Sequence, residues 1–289
     1  MKKIGIIGAG IMARGMAQNF LKNGYEVHIW NRTKENAGTE LSNGAIWEET
    51  PKVLTQAADI IIECVSDDDA SRSVWLGDEG ILAGASSEKV LITSATLTLD
   101  WVQELTELCE QKQYKFLDMP LTGSRAGAEG GTLKLLVGGK ESVLNSIREE
   151  LAAIADKIYY FGPNVSGMRF KLVLNSLIAI HANAAAQAIG LAEKAGLDIS
   201  QVRDVLFDAA MGPASPTTNA VFKLMDQPNQ LNWAIKWVEK DLRYARQMAQ
   251  QYDVDFDLLN DTQADFAKAK AANLGDRDLT QIVNLYRQS

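Results

Sequence analysis

The stretch that decides the fold opens the chain: Lys3-Ile-Gly-Ile-Ile7-Gly8-Ala9-Gly10-Ile11-Met12-Ala13. Residues 3–7 form a short apolar run typical of a buried β-strand, and a glycine turn follows at once. The pattern predicts an amphipathic helix over 11–23 and a second strand over 25–30. A strand, a Gly-x-Gly-x-x-Gly/Ala turn, a helix and a strand in this order predict a dinucleotide-binding fold.

Each position of this turn has a physical role in holding a pyrophosphate. Gly8 permits the tight turn, and Gly10 lets the phosphates approach the backbone. Ala13 keeps the helix close to the sheet. The N-terminus of the helix supplies backbone N–H groups and partial positive charge for the phosphate oxygens. The residues expected to contact the cofactor here are Gly8, Gly10, Ile11 and Met12.

The residues after the second strand indicate which dinucleotide is bound. A carboxylate at this place would accept a hydrogen bond from the ribose 2′-hydroxyl of NAD. The chain instead has Asn31, Arg32 and Thr33. A guanidinium and a hydroxyl can bind the 2′-phosphate of NADP, which an acidic residue would repel. The alternative is that Arg32 and Lys34 are solvent-facing turn residues. The missing carboxylate favours NADP(H).

Five further β-type runs continue the pattern, over residues 58–65, 89–93, 115–117, 132–137 and 158–161. Strands that alternate with helical stretches predict a doubly wound α/β sheet. Because the carboxyl ends of such strands carry function, we expect Val65, Ser66 and Thr96 to face the cofactor. The acidic run Asp67 to Asp69 is more typical of a helix cap than of a metal site, since consecutive carboxylates cannot all face one ion.

Two later segments contain candidate chemistry. The glycine- and hydroxyl-rich segment 122–132 is predicted to be a loop whose backbone N–H groups can hold a carboxylate; an unliganded hairpin is the alternative. Lys171 stands at the start of an uncharged run that continues to Glu193. A helix apolar almost all round is normally buried, and burial lowers the pKa of a lysine and makes it a usable proton donor. Asn175, four residues on, shares its helical face. The alternative is that Lys171 extends to water.

Four stretches occur together in one order: Gly8-Ala-Gly10-Ile-Met12, Asp118-Met-Pro120-Leu-Thr122-Gly123-Ser124, Gly167-Met-Arg-Phe-Lys171-Leu-Val-Leu-Asn175 and Lys240-Asp241-Leu242. Over essentially its whole length the chain resembles the β-hydroxyacid dehydrogenases. This family includes 3-hydroxyisobutyrate dehydrogenase, tartronate semialdehyde reductase and the NADPH-dependent glyoxylate/succinic semialdehyde reductases. The segment around Thr122 and the Lys-x-x-x-Asn spacing are the specific parts of the resemblance.

The resemblance implies a reaction and a role for each matching residue. In reduction, hydride moves from NADPH to an aldehyde carbon while Lys171, the general acid/base, protonates the forming alkoxide. Asn175 would hold the substrate against the lysine. Thr96 would lie beside the nicotinamide, and Lys240 would close the site over cofactor and substrate. The residues that would anchor the substrate carboxylate are Thr122, Gly123 and Ser124.

The chain departs from the family pattern at three places. Thr122-Gly123-Ser124 replaces the usual Ser-Gly-Gly, Ala95 stands where serine is common, and Ala13 replaces the third glycine. The first two leave the substrate open among glyoxylate and the succinic, methylmalonate and tartronate semialdehydes. The Thr-Gly-Ser segment and Arg32 together favour the NADPH-dependent semialdehyde reductases. The role of Arg125 is open, either binding a distal carboxylate or pointing into solvent.

Related groups fit the residues less well. The 6-phosphogluconate dehydrogenases are longer and carry a histidine just before the asparagine, where this chain has Leu174. Imine reductases share the architecture but replace the lysine, so Lys171 disfavours them. A catalytically silent NADP-binding protein would need no such lysine and is the alternative from another class. His28 lies inside a predicted strand and His181 in the uncharged run, so we interpret both as structural.

From residue 164 onward the pattern is helical. The sequence predicts two domains, an NADP-binding domain over 1–163 and an all-helical substrate and oligomerisation domain over 164–289. The second is expected to be similar to the C-terminal domain of 6-phosphogluconate dehydrogenase and joined by a long interdomain helix. Helices are predicted up to Glu193 and over 197–210, 230–252 and 256–273, with a loop at 212–216. Trp233 and Trp237 fall in the third helix, as core residues or, for Trp233, as a wall of the substrate pocket.

The net charge and the composition of the chain argue against several classes of binding partner. The net charge of −8 over 289 residues disfavours nucleic acid and anionic membranes. The uncharged run reaches membrane-spanning length, but its amide and imidazole side chains favour a protein interior. Arg14 and the glycines interrupt any secretory signal, and Cys64 and Cys109 make neither a metal spacing nor a disulfide framework. We therefore expect a cytoplasmic protein. The small residues 182–188 suit packing against another chain, as homodimer or homotetramer.

Overall fold

A computed structural model describes residues 1–208 and 216–287. Contacts divide the chain into two compact units, Met1–Lys171 and Leu172–Ser289. The predicted loop over 212–216 lies, except for its last residue, outside the described residues. The end of the helix predicted over 197–210 lies outside them too.

The first unit is built on nine strands: β1 (Ile4–Ile7), β2 (Val27–Trp30), β3 (Ile46–Trp47), β4 (Ile60–Glu63), β5 (Val90–Thr93), β6 (Lys115–Asp118), β7 (Leu121–Thr122), β8 (Leu133–Gly139) and β9 (Ala155–Gly162). They form one sheet in the order β3-β2-β1-β4-β5-β6-β8-β7, with β9 beside β8. The first six strands are parallel. Their order is that of a Rossmann sheet, in which ligands bind between β1 and β4 at the carboxyl ends.

Nine helices flank these strands in the described part of the first unit: α1 (Ile11–Lys22), α2 (Gly38–Ser42), α3 (Pro51–Ala57), α4 (Asp68–Trp75), α5 (Ile81–Gly84), α6 (Leu99–Gln111), α7 (Ser124–Gly130), α8 (Glu141–Asn145) and α9 (Arg148–Leu151). The central strands β1, β4 and β5 are buried along their whole length. This burial explains their continuous runs of branched residues. The prediction that the acidic run caps a helix is confirmed, because Asp67 accepts the Ala70 N–H at the start of α4.

Helix α10 (Ser166–Lys194) begins in the first unit and continues in the second. The second unit adds α11 (Ile199–Asp208), α12 (Pro216–Leu224), α13 (Ile235–Gln251), α14 (Asp257–Ala269) and α15 (Asn284–Arg287). The predicted fold class, a doubly wound N-terminal sheet followed by a helical C-terminal region, is confirmed. Helix α12 and the short strands β3 and β7 were not predicted.

Two local predictions are wrong for reasons that lie in tertiary structure. Residues 124–130 form α7 and not a loop, because this segment packs closely on α1: a Cβ added at Gly15 would lie 2.7 Å from the backbone of Ala128. Trp233 precedes α13 and is not part of it. The Asp278 carboxylate accepts the Trp233 N–H, and Ala234 forms a β-bridge with Asp278, which holds this stretch extended.

Helix α10 is also less buried than its composition predicts. Two of its amide side chains are buried and bonded, with Asn175 donating to Asp241 (2.8 Å) and Asn183 to Asp265 (3.0 Å). On the opposite side Val173 and Leu177 are about half exposed, and other apolar side chains are exposed further along. By length and composition the helix could cross a membrane, a test that core helices of soluble proteins also pass. Its buried amide pairs are typical of a helix packed against protein.

Candidate active site

The glycine turn after β1 is closely packed at Gly8 and open at Gly10. Gly8 has a φ of +118°, and a Cβ there would lie 2.4 Å from the carbonyl oxygen of Cys64 at the end of β4. Its N–H donates to the carbonyl of Trp30 at the end of β2 (2.9 Å). A Cβ added at Gly10 would meet nothing within 4 Å. The turn therefore joins three strand ends tightly and is open at Gly10, where a phosphate would approach.

The N-terminus of α1 fits the phosphates of a dinucleotide. Among the described residues, no side chain caps this helix, and its first turn carries no acidic residue. Ile11 and Met12 are partly exposed there. Unsatisfied N–H groups at a helix N-terminus, with the positive end of the helix dipole, form an anion-binding site. The residues present thus fit a pyrophosphate.

The turn after β2 presents a cation. Arg32 and Thr33 are exposed. Asn31 shapes the turn, since its side-chain amide donates to the Thr33 carbonyl (2.8 Å). Lys34 lies 4.9 Å from the ring centre of Trp47, a cation–π contact that keeps it to one side. Arg32 is therefore an exposed cation of this turn, whereas Lys34 contacts Trp47.

The ends of β4 and β5 are held by a carboxylate that the sequence reasoning missed. Glu63 is fully buried, and its side chain accepts hydrogen bonds from the Thr93 hydroxyl (2.5 Å), the Trp75 indole (3.4 Å) and the Val65 N–H (3.3 Å). The bond from the Val65 N–H holds the backbone at Val65, next to Ser66. A carboxylate within the apolar run 60–65 was the available signal, because an unpaired buried charge is costly.

The substrate segment predicted from the sequence is a sharp bend and not an open loop. Gly123 has a φ of +138° and Ser124 a φ of +58°, directly after β7 and at the start of α7. Asn19, a buried amide on α1, donates to the Ala128 carbonyl of α7 (2.7 Å) and so ties the segment to the helix of the glycine turn. Arg125 lies 3.7 Å from Glu129, one turn further on α7.

Lys171 points into this part of the first unit. Its ammonium donates to the carbonyl oxygen of Leu121 at 2.8 Å, and the side chain is partly buried. Leu121 immediately precedes Thr122 in β7. The structure thus places the candidate acid beside the Thr122-Gly123 bend, and this contact differs from a lysine extended into water.

Asp118 ends β6 and is fully buried. Its carboxylate accepts the N–H groups of Val165 (2.7 Å) and Met168 (2.8 Å). Burial raises the pKa of Asp118 to about 7, and the hydrogen bonds from backbone N–H groups oppose that rise.

This raised pKa predicts a pH-dependent stability. Between the ordinary value of 3.8 and about 7, the folded chain keeps a proton at Asp118 that the unfolded chain has lost. The contribution of this group to the free energy of unfolding is therefore largest at low pH and declines as pH rises through 7, by at most about 1.4 kcal/mol per pH unit. Urea unfolding of wild type and Asp118→Asn across this range should show their difference shrinking with pH; a constant difference would contradict the assignment.

In the second unit three buried polar side chains form one cluster. Asn175 donates to Asp241 (2.8 Å), and the Lys240 ammonium lies 3.0 Å from the other carboxylate oxygen. The side-chain plane of Asn175 is therefore set by Asp241, a residue without a role in the sequence reasoning although it stands next to Lys240. Asn175 itself lies one turn after Lys171 on the continuous helix α10.

The two histidines take no part in these clusters. His28 is buried in β2 and bonded to Glu48 (2.7 Å) and Glu26 (3.0 Å), which fits the structural interpretation. His181 is exposed on α10, so the interpretation of it as a structural residue finds no packing to support it.

Comparison with known proteins identifies the family. A family model described as the NAD binding domain of 6-phosphogluconate dehydrogenase matches residues 3–162. A second, described as "NAD-binding of NADP-dependent 3-hydroxyisobutyrate dehydrogenase", matches residues 166–286. An uncharacterized oxidoreductase of Synechocystis is 34% identical over 252 residues, covering 86% of this chain and 87% of its own.

The chain belongs to the β-hydroxyacid dehydrogenase family.

This β-hydroxyacid dehydrogenase is also similar to named proteins over its whole length. The glyoxylate/succinic semialdehyde reductase 1 of Arabidopsis thaliana is 27% identical, with 99% of both chains covered. A 3-hydroxyisobutyrate dehydrogenase from Salmonella typhimurium shares the fold, with a TM-score of 0.89 at 22% identity over 99% of this chain and 100% of that one. An imine reductase from Pseudomonas sp. shares it with a TM-score of 0.62 at 17% identity, covering 98% of each. The protein is thus an NAD(P)-dependent oxidoreductase of this family.

Proposed function

We propose that this dehydrogenase is an NADPH-dependent reductase of small aldehydes that carry a carboxylate, glyoxylate or a semialdehyde, and forms the corresponding hydroxy acid. The observation that carries the proposal is the contact of the Lys171 ammonium with Leu121, directly before the Thr122-Gly123 bend. An acid beside an anion-binding bend suits a substrate with a carbonyl next to or near a carboxylate.

Lys171 acts as the general acid in this proposal. The nicotinamide, when bound, supplies the hydride that reduces the aldehyde carbon. The ammonium that donates to Leu121 is also the N–H donor that would meet the substrate oxygen. As negative charge develops on that oxygen, the lysine transfers a proton and the aldehyde becomes an alcohol. Oxidation reverses the step, with neutral Lys171 taking the proton.

The bend anchors the substrate carboxylate. Gly123, with its positive φ, leaves the backbone uncovered by a side chain, and Thr122 and Ser124 add hydroxyl donors on either side. We assign Thr96 to the nicotinamide side of the site. Asn175 and Lys240 are assigned to the substrate, and Asp241 keeps the Asn175 amide in one orientation so that its oxygen and second N–H remain for the ligand.

The test of this proposal is turnover with a defined panel. NADPH absorbance is followed with glyoxylate and with the succinic, methylmalonate and tartronate semialdehydes, each beside NADH. NADPH-dependent turnover of at least one is expected, and their specificity constants rank the substrates. Bound NADPH with no turnover of any of the four would contradict the substrate class while leaving the fold intact.

Arg32 is expected to set the preference for NADPH. A charge-assisted hydrogen bond to a phosphate contributes about 1.5–3 kcal/mol, so Arg32→Ala should raise the KM for NADPH by about 10–100-fold. The KM for NADH should change less than about threefold, because NADH lacks the 2′-phosphate. Arg148→Ala, which removes an exposed arginine of α9, is the control and should alter neither. An equal effect of Arg32→Ala on both cofactors would contradict NADP recognition by this turn.

The alternative activity is reduction of an imine, which the shared fold of the imine reductase favours. A protonatable imine nitrogen needs no lysine acid, so a chain using it would tolerate loss of Lys171. A catalytically silent NADP-binding protein is the other alternative, and binding without turnover on both aldehydes and imines would support it. For all of these functions we propose that the protein is cytoplasmic.

The exposed apolar side of α10 predicts a homodimer or homotetramer. Val173 and Leu177 are 53% and 50% exposed, and Leu191 further along the helix is 72% exposed. Exposed apolar stripes of this length are unusual in monomers. Light scattering should show an oligomer for the wild type and a smaller species for the double variant Val173→Glu/Leu177→Glu. Leu258→Glu, at an equally exposed leucine of α14, should leave the mass unchanged. A monomeric wild type would contradict the prediction.

A further inference from the structure

The carboxylate of Asp118 joins a strand end to a helix start. Its Oδ1 accepts the Val165 N–H at 2.7 Å and its Oδ2 accepts the Met168 N–H at 2.8 Å, at the N-terminus of α10. The first N–H groups of a helix have no partner within the helix, and an acidic residue there also meets the positive end of the helix dipole. Asp118 therefore fixes where α10 begins relative to β6.

The start of α10, β8 and the end of β6 are closely packed around this carboxylate. A Cβ added at Gly138 of β8 would lie 2.4 Å from Asp118 Oδ1. One added at Gly167 of α10 would lie 2.3 Å from the Leu136 carbonyl oxygen. Gly138 and Gly167 thus let the backbones of β8 and α10 come close to each other around the Asp118 side chain. A change in the polar groups of Asp118 is therefore expected to displace the start of the helix.

Lys171 stands on the part of α10 that this attachment controls. It follows Met168 by three residues and so lies on the same side of the helix. Its ammonium reaches Leu121, which follows Asp118 by three residues along the other segment. The short segment 118–121 thus contacts α10 at two points, through a carboxylate at one end and a carbonyl at the other.

The segment itself is held independently of α10. The Met119 N–H donates to the Thr93 carbonyl, and the Pro120 carbonyl accepts the Leu136 N–H, both at 2.8 Å. These bonds attach it to β5 and β8. If Asp118 no longer accepts the hydrogen bonds from the start of α10, the segment with the Thr122 bend should stay in place while Lys171 moves.

We propose that Asp118 is a positioning residue for the reaction: by capping α10 it sets the place of the Lys171 ammonium relative to the substrate-binding bend. The inference rests on the proposed function of Lys171 as the acid. A displacement of about 1 Å at a reacting group costs on the order of 100-fold in rate, so a contact this far from the substrate has a large effect on turnover.

The test is Asp118→Asn, measured at about pH 8, where the native carboxylate is ionised. The amide keeps the shape but replaces one carboxylate oxygen with an NH2 group, which faces the N–H of Val165 or Met168 and leaves that donor without an acceptor. We expect kcat to fall roughly 10–100-fold with the KM for NADPH changed less than about threefold. The isotope effect from NADPH deuterated at the transferred position should rise, because the chemical step becomes limiting. Thr50→Ala, which removes the side-chain cap of α3 in the same unit, is the matched control and should leave kcat unchanged.

A double variant separates positioning from general damage. With Lys171→Met present, Asp118→Asn should change the residual single-turnover rate by less than about twofold, since it acts through the lysine. The inference is overturned if Asp118→Asn lowers the residual rate of Lys171→Met as strongly as it lowers the wild-type rate. It is also overturned if Asp118→Asn alone keeps the wild-type kcat. In both cases the proposed function stands. If Asp118→Asn does not fold, Gly138→Ala, which pushes against the same carboxylate, should show the same loss in kcat and the same dependence on Lys171. An inactive wild type would instead overturn the proposed function.

Discussion

Replacing Lys171 by methionine is expected to lower kcat for aldehyde reduction by about 10²–10⁴-fold, the usual contribution of a positioned general acid. Methionine keeps the length and the apolar stem but has no proton to give and no N–H for the substrate oxygen. The dissociation constant of NADPH, measured by its fluorescence, should change less than about threefold, because no role in cofactor binding is assigned to Lys171.

The control for this variant is Lys194→Met, the same substitution in the last turn of the same helix, where the side chain is exposed. It should retain wild-type kcat. An active Lys171→Met, with kcat within about threefold of wild type, would contradict the lysine mechanism and favour the imine alternative.

Gly8→Ala is expected to have the largest effect on the cofactor domain. The φ of +118° is strained for alanine, and the new Cβ would lie 2.4 Å from the Cys64 carbonyl oxygen. The ends of β1 and β4 must separate to accept it, which should cost about 2–4 kcal/mol in the free energy of unfolding. The same separation opens the phosphate cradle, so NADPH affinity should fall by more than about 100-fold.

A control variant at Gly24 separates the effect of backbone strain from the effect of a close contact made by the new Cβ. Gly24 also has a positive φ, of +81°, but a Cβ there would meet nothing within 4 Å. Gly24→Ala should cost about 1 kcal/mol through its backbone alone and leave NADPH binding unchanged. Urea unfolding and fluorescence titration of both variants make the comparison. Equal NADPH affinity for Gly8→Ala and wild type would contradict the assignment of this turn to the cofactor.

The fold could be predicted from the sequence because its signals are local. Each pattern predicts the structure of the residues that carry it. These patterns are the apolar runs of strand length, the glycine turn at Gly8 and the uncharged stretch after Lys171. The strands β3 and β7 are two residues long, too short to show a period. Helix α7 was missed because its glycines disfavour a helix, and it is held by contacts with α1 at Gly15 and Asn19 that lie far away in the sequence.

Only those residues of the candidate site that belong to linear sequence motifs could be predicted. Motifs name Lys171, Asn175 and the Thr122 bend, but they do not say what holds them. The partners are distant in sequence: Asp118 and Val165 are separated by 47 residues, and Asn175 and Asp241 by 66. Spacing along the chain encodes no such pair. The sequence alone therefore could not assign a role to Asp118 or Asp241, the polar residues that hold the site residues in place.

Dependence on a substrate carboxylate is measured by comparing three substrates with NADPH. They are succinic semialdehyde, butanal, which has a methyl group in place of the carboxylate, and the cyclic imine pyrroline. A site built to bind a carboxylate rejects an analogue that lacks it, so the specificity constant for the semialdehyde should exceed the other two by at least about 100-fold. Butanal or pyrroline reduced as well as the semialdehyde would contradict the account.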